Sequence, residues 1–345
     1  MRKFLTLLLL VVLAVGGWLA WALWLPVTPA GQKFVMLRPG YSTRRIAAEL
    51  ETAGVIRSRF AFILWHRLHR RQSLKAGEYL FEKTARMVEV NDRLVRGDIY
   101  VHTVVIPEGF TMFDIAQAIQ DAGLGSSQDF LAVVQSDRDL ISDLAPEAKS
   151  LEGFLFPNTY EFTRTQSMKD IAAIMVRQFR QVANQVGLTA NGVLPDGLAP
   201  NLTLNGQVMD VQKVVTMASI IEKETAVPEE RALVASVYYN RLARKIALQA
   251  DPSVIYAEML NGNYSGGLHH ADMRFQSAYN TYAHPGLPPG PIGNPGRSAL
   301  EAALHPAQTD YYYFVSDGNG HHRFSRSLEE HNQNVAKLRQ AMQRK

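Results

Sequence analysis

The sequence predicts an α+β protein led by a membrane-spanning helix, and three observations carry that prediction. Phe4–Leu25 is apolar save for Thr6. A β-rich run, a glycine turn and an amphipathic helix occur twice between residues 33 and 123. Helical periodicity then alternates with loops rich in proline, glycine and aromatic residues, ending near an aromatic strand, "DYYYFVSDGNG". The chain has 345 residues, enough for two or three domains, and its 47% hydrophobic content is that of a globular protein.

The N-terminal run is long enough to cross a bilayer, which takes about 20 apolar residues. Arg2 and Lys3 precede it, so residues 1–3 are expected in the cytoplasm and 4–25 in the membrane. Trp18, Trp21 and Trp24 stand at the far end, where indoles favour the interface. A cleaved signal peptide is the alternative, with Ala20-Trp21-Ala22 as the site. The apolar run continues through that site, which favours a single-pass inner-membrane anchor with the C-terminal part in the periplasm.

"PVTPAGQ" (26–32) reads as a linker, because its two prolines stop a helix. The repeat follows. "RPGYSTRRIAAELETAG" (38–54) and "PEGFTMFDIAQAIQDAG" (107–123) align Gly40, Ser42, Ile46, Leu50 and Gly54 with Gly109, Thr111, Ile115, Ile119 and Gly123. Each copy has a β-rich run, "KFVML" or "HTVVI", then an N-capping hydroxyl, a helix and a stopping glycine. "RSRFAFILWHRLHRR" reads as a second helix and "LKAGEYLFEK" as a strand, giving a β-α-α-β order over 33–105. That order resembles the LysM fold, which implies binding to N-acetylglucosamine-containing glycans. The same pattern could equally serve as a spacer.

The second region, 106–340, contains "LEGFLFPNTYEF" (151–162) and helices expected at 168–186, at 208–225 and from Pro228 through "PEERALVASVYYNRLARK". A polar loop, 187–206, separates the first two helices. Beyond Asp251 the chain reads as loop-rich, and long proline-stiffened loops are common binding surfaces.

The chemistry concentrates at "ASIIEKETAVPEER" (218–231), where a helix apolar on nearly every side ends in Glu222, Lys223 and Glu224. A carboxylate at the end of a buried helix loses solvation and gains proton affinity, as a general acid requires. Helical geometry leaves Glu222 and Glu224 both eligible, and either could instead pair with Lys223, Arg231 or Arg241. Zero cysteines exclude disulfide and thiol chemistry. The two His-His pairs, 269–270 and 321–322, lack a converging ligand set, so neither a metal nor a cofactor is expected. A net charge of +4 without basic blocks argues against nucleic acid.

"MASIIEKETAVPEE", "ASVYYNRL", "LQADPSVIYA", "AYNTYAHPGLPPGPIGNPG", "LEGFLFPNTY" and the C-terminal "YYYFVSDGNGHHRFSRSLEEHN" strongly resemble the YceG-like (MltG) family of membrane-anchored endolytic murein transglycosylases. The resemblance implies a catalytic domain over 106–340 that cleaves the bond between N-acetylmuramic acid and N-acetylglucosamine in nascent strands, leaving 1,6-anhydro ends. It implies Glu224 as the catalytic acid. Pro228 and Tyr238-Tyr239 depart from many relatives, and they are not expected to touch the acid. Candidate sugar-binding residues are Tyr279, Asn280, Thr281, Tyr282, Gln249, Asp251, Glu152, Pro288 and Pro289. Glu222, Ser219 and His322 are expected in support, and His331 also falls in the C-terminal motif. Peptidoglycan synthases (penicillin-binding proteins) are the partners implied. The competing functions are a non-catalytic, membrane-tethered glycan-binding scaffold and a hydrolytic muramidase.

Overall fold

The computed structural model describes residues 1–69, 73–188, 203–204 and 207–343. These residues form two compact units. The first is Met1–Thr103 with Glu161–Ser167, and the second is Val104–Tyr160 with Met168–Lys345.

The first unit opens with α1 (Arg2–Trp24), a helix long and apolar enough to cross a membrane. Its 23 residues rise about 35 Å, against a hydrocarbon core of about 30 Å. Only Ala22 and Leu23, at its C-terminal end, are buried. β1 (Lys33–Leu37) and β2 (Gly77–Phe81) pair antiparallel with Leu37 opposite Gly77, and between them run α2 (Thr43–Thr52) and α3 (Arg59–Leu68). The β-α-α-β order read from the residues therefore forms. Leu37, Ile46, Leu50, Phe62, Tyr79 and Leu94 close its core. Leu94 comes from α4 (Met87–Arg96), a helix the sequence reading missed. Its apolar Met87, Val90 and Leu94 lie on one face, and Gly97 ends it in the left-handed region.

The second copy of the repeat shares the local chemistry of the first. Ser42 Oγ accepts from the backbone N–H of Arg45, and Thr111 Oγ1 accepts from that of Asp114. Gly54 and Gly123 follow the two helices at φ of 70° and 69°, a conformation that disfavours a Cβ. The surroundings differ. β3 (His102–Ile106) pairs with β4 (Asn158–Phe162), and α5 (Met112–Asp121) is followed by α6 (Ser127–Ser136).

α7 (Met168–Gln185) and α8 (Val211–Glu224) match the expected helices. The expected loop between them lies mostly outside the described residues, apart from β5 (Thr203–Leu204) paired antiparallel with β6 (Gln207–Val208). α8 is the centre of this unit, packed by α9 (Arg231–Ala243), α10 (Asp251–Leu260) and α11 (Arg297–Leu304). Pro228–Glu230 forms a 3₁₀ turn ahead of α9 rather than its first turn.

The loop-rich reading beyond Asp251 needs correction. α10, α11 and α12 (Leu328–Gln343) all lie there. α10 starts Asp-Pro, where proline is tolerated because the first helical N–H has no partner to lose. α11 is short, with Ala299, Leu300, Ala303 and Leu304 buried, and α12 buries no residue fully. The aromatic strand appears as β7 (Tyr313–Ser316), in a hairpin with β8 (His322–Ser325).

Candidate active site

Asp210 starts α8 by accepting the Lys213 N–H at 2.8 Å, and Val214 to Ile221 are all buried. The carboxylates therefore emerge from a fully packed helix. Two residues apart, they point about 200° away from each other and meet different environments.

Glu222 is fully engaged. Arg231 donates to its Oε1 at 2.7 Å and the Gly296 N–H to its Oε2 at 2.9 Å, with the side chain 5% exposed. Burial raises its pKa, and the Gly296 N–H and Arg231 pull it back. Arg231 also donates to Ser298, so this pair ties α8 to the start of α9 and to α11.

Glu224 is half-buried and accepts one hydrogen bond among the described residues, from Tyr238 O–H to Oε1 at 2.7 Å. Burial lifts its pKa to about 7; the Tyr238 bond and the Arg241 charge lower it, and the Asp251 charge raises it. It borders a cavity of about 260 Å³ lined by Tyr238, Arg241, Leu248, Gln249, Asp251, Tyr282, Phe314 and His331.

α9 places Tyr238 and Arg241 three residues apart, on one face. Tyr238 therefore touches the acid, contrary to the expectation from sequence. Its ring meets Phe314 of β7 edge-on at 5.9 Å. Arg241 Nε donates to the Tyr312 carbonyl at 2.7 Å, and its Nη1 donates to the Leu248 carbonyl at 2.9 Å and to Gln249 Oε1 at 3.3 Å. Its guanidinium lies 5.1 Å from the Tyr313 ring centre, so a cation is fixed beside the cavity.

Gln249 adopts φ of 54°, which an L-residue adopts only when its surroundings enforce it. Its N–H donates to the Thr281 carbonyl, and Thr281 Oγ1 accepts the Ala250 N–H at 2.9 Å. Tyr282 O–H donates to Asp251 Oδ1 at 2.5 Å. His331 stacks on Tyr313 at 5.3 Å, and its Nδ1 is buried without a hydrogen-bond partner among the described residues. Burial and the nearby Arg241 charge lower its pKa.

The structure thus gathers Glu224, Gln249, Asp251, Tyr282 and His331 around one cavity. The other sequence candidates lie elsewhere. Asn280 is buried, donating to the Met273 and Phe275 carbonyls and accepting the Tyr282 N–H. Thr281 braces the start of α10. Tyr279 packs on Tyr256 at 5.2 Å. Glu152 is buried and accepts from the Met112 N–H, Tyr256 and Asn294; burial raises its pKa to about 7. Ser219 Oγ donates to the Thr216 carbonyl and accepts the Ile292 N–H. Pro288 is buried, and the Pro289 carbonyl accepts from Gln212. His322 bonds Glu230 at 2.6 Å, and the tie holds the β7–β8 hairpin to the start of α9. Sequence reasoning missed Arg241, Leu248 and Phe314 as cavity residues. The signals for Arg241 were its possible pairing with either glutamate and its helical spacing from Tyr238. No cluster of His, Cys, Asp or Glu among the described residues could hold a metal ion.

A profile of the YceG-like family matches residues 35–337. The chain belongs to the YceG-like family. It is 33% identical over 309 residues to the endolytic murein transglycosylase of Bacillus subtilis, covering 85% of this chain and 81% of that protein. It is 28% identical over 365 residues to the Streptococcus pneumoniae protein of the same name, covering 96% of this chain and 64% of that longer relative. The crystal structure of a YceG-like protein from Listeria monocytogenes, 33% identical, superposes with a TM-score of 0.56 over 88% of this chain and 98% of that one. This YceG-like chain thus shares its family with proteins named endolytic murein transglycosylases.

Proposed function

We propose that the protein is an endolytic lytic transglycosylase acting on peptidoglycan strands, with Glu224 as acid and then base. One observation carries the reading. Glu224 has a pKa near 7 and a carboxyl oxygen unclaimed by any described residue, beside a sugar-sized cavity, whereas both oxygens of Glu222 are taken. The relatives' shared name supplies the substrate class.

Protonated Glu224 gives its proton to the glycosidic oxygen as the bond from C1 of N-acetylmuramic acid to that oxygen breaks. The carboxylate left behind is stabilised by the Tyr238 O–H and the Arg241 charge. It then takes the proton of the muramyl C6 hydroxyl while O6 bonds to C1. The products are a 1,6-anhydro end and a free 4-hydroxyl, and Glu224 is again protonated. An internal nucleophile needs no second carboxylate to activate water, and its attack is entropically favoured. Gln249, Asp251 and Tyr282, which line the cavity, hold sugar hydroxyls, and His331 adds a ring nitrogen with no partner among the described residues. α1 anchors the chain in the inner membrane with the remainder in the periplasm, where peptidoglycan synthases act. The β-α-α-β module serves as a LysM-like glycan-recruiting element.

A hydrolytic muramidase is the second reading, because Asp251 is a further carboxylate on the same cavity. Mass spectrometry of products from purified glycan strands separates the two: anhydro ends support the proposal, and reducing ends support hydrolysis.

A further inference from the structure

The membrane-crossing helix and α3 belong to the same compact unit, and the end of α1 is built into it. Ala22 and Leu23 join the core that α3 closes with Ala61 and Phe62. Trp24 meets Trp65 of α3 edge-on at 6.0 Å. Arg57, just ahead of α3, sits 5.0 Å over the Trp21 ring and donates to the Pro26 carbonyl at 2.9 Å. α3 therefore lies beside the end of α1 that carries Trp18, Trp21 and Trp24, the residues that favour the lipid–water boundary.

The outer face of α3 is unusual for this unit. Phe60, Leu64 and Leu68, spaced four residues apart, are 64%, 42% and 73% exposed. Arg59, which lies 3.6 Å from Glu51, and Arg67 are exposed around them. No large hydrophobic residue of α2 or α4 is exposed. An apolar stripe flanked by cations is the pattern of helices that lie in the plane of a membrane surface, inserting about 5–10 Å. Cations near the surface add attraction to anionic headgroups.

We propose that α3 is a second membrane contact, lying in the lipid surface where α1 emerges, so that the first unit rests on the bilayer. The occupant of this face is lipid, because Trp65 of α3 and Arg57 just ahead of it tie this helix to the end of the anchor. This inference rests on the reading of α1 as membrane-spanning.

The chain has no cysteine, so single cysteines report position without background. Phe60→Cys, Leu64→Cys, Leu68→Cys, Leu10→Cys in α1 and the exposed Lys83→Cys are each introduced into the full chain and labelled with an environment-sensitive fluorophore. The proteins are reconstituted into phosphatidylethanolamine–phosphatidylglycerol vesicles carrying a shallow doxyl quencher on the acyl chain. The expected result is loss of most fluorescence at 10, 60, 64 and 68 and none at 83. Quenching at 10 without quenching at 60, 64 or 68 overturns the α3 contact and leaves the anchor standing. A blue-shifted but unquenched signal at 60, 64 and 68 means a protein partner covers the face, and also overturns it. No quenching at 10 removes the anchor itself, and the α3 contact with it.

Discussion

Glu224→Gln keeps the shape of the side chain and its bond from Tyr238, and it removes the exchangeable acid proton. General acid–base groups typically contribute about 10²–10⁴-fold, and here one group serves both steps, so the loss of anhydro-end release is expected at about 10⁴-fold or more. The structure gives the same substitution a separate signature in stability. The Glu224 pKa rises from 4.5 to about 7 on folding, and at about 1.4 kcal/mol per unit this limits the effect to about 3 kcal/mol. Between those pH values the folded protein holds a proton the unfolded chain has released, so wild-type stability falls as pH rises from 4.5 to 7. The neutral amide has no such dependence. Glu224→Gln should therefore melt with the wild type at pH 4 and above it at pH 8, by several degrees at about 2–4 °C per kcal/mol. The assays are mass spectrometry of released 1,6-anhydromuropeptides and thermal melts of the full chain at both pH values. An active Glu224→Gln refutes the catalytic assignment; a variant that melts below the wild type at pH 8 refutes the burial argument for the raised pKa.

Glu222→Gln breaks a buried ion pair and leaves Arg231 only the more exposed Glu108, at 3.6 Å, so stability should drop by about 3 kcal/mol while turnover per folded molecule falls far less than in Glu224→Gln; inactivity without a stability loss would reverse the two roles. Tyr238→Phe removes a bond that lowers the Glu224 pKa, so the alkaline fall in kcat/KM, centred near pH 7 in the wild type, should move to higher pH; an unmoved profile would show that Tyr238 does not tune the acid. Glu152→Ala strands the Met112 N–H, Tyr256 and Asn294, which should lower stability by about 3 kcal/mol. If the folded fraction then loses affinity for glycan strands at unchanged turnover, Glu152 binds substrate after all. A C-terminal reporter on the full chain should be active only on the periplasmic side, and activity in the cytoplasm would refute the proposed topology.

Local features of this chain were legible because they depend on near neighbours. The apolar run of α1, the Ser42 and Thr111 caps and the glycines after α2 and α5 follow from short-range sterics and hydrogen bonding. The burial of α8 followed from its lack of a polar face, and with it the likelihood of a perturbed carboxylate at its end. Which carboxylate remains free was not legible. That depends on Arg231 and the Gly296 N–H meeting Glu222, while Tyr238, Arg241, Asp251 and Tyr282 converge around Glu224 from separate segments. The Asn-Thr-Tyr segment looked like a sugar platform because its residues suit sugars. Its backbone turns needed those same groups, so Asn280 and Thr281 face inward and Tyr282 alone reaches the cavity. Residue type states what a side chain can bond, whereas tertiary packing determines which groups are already bonded and which face the cavity.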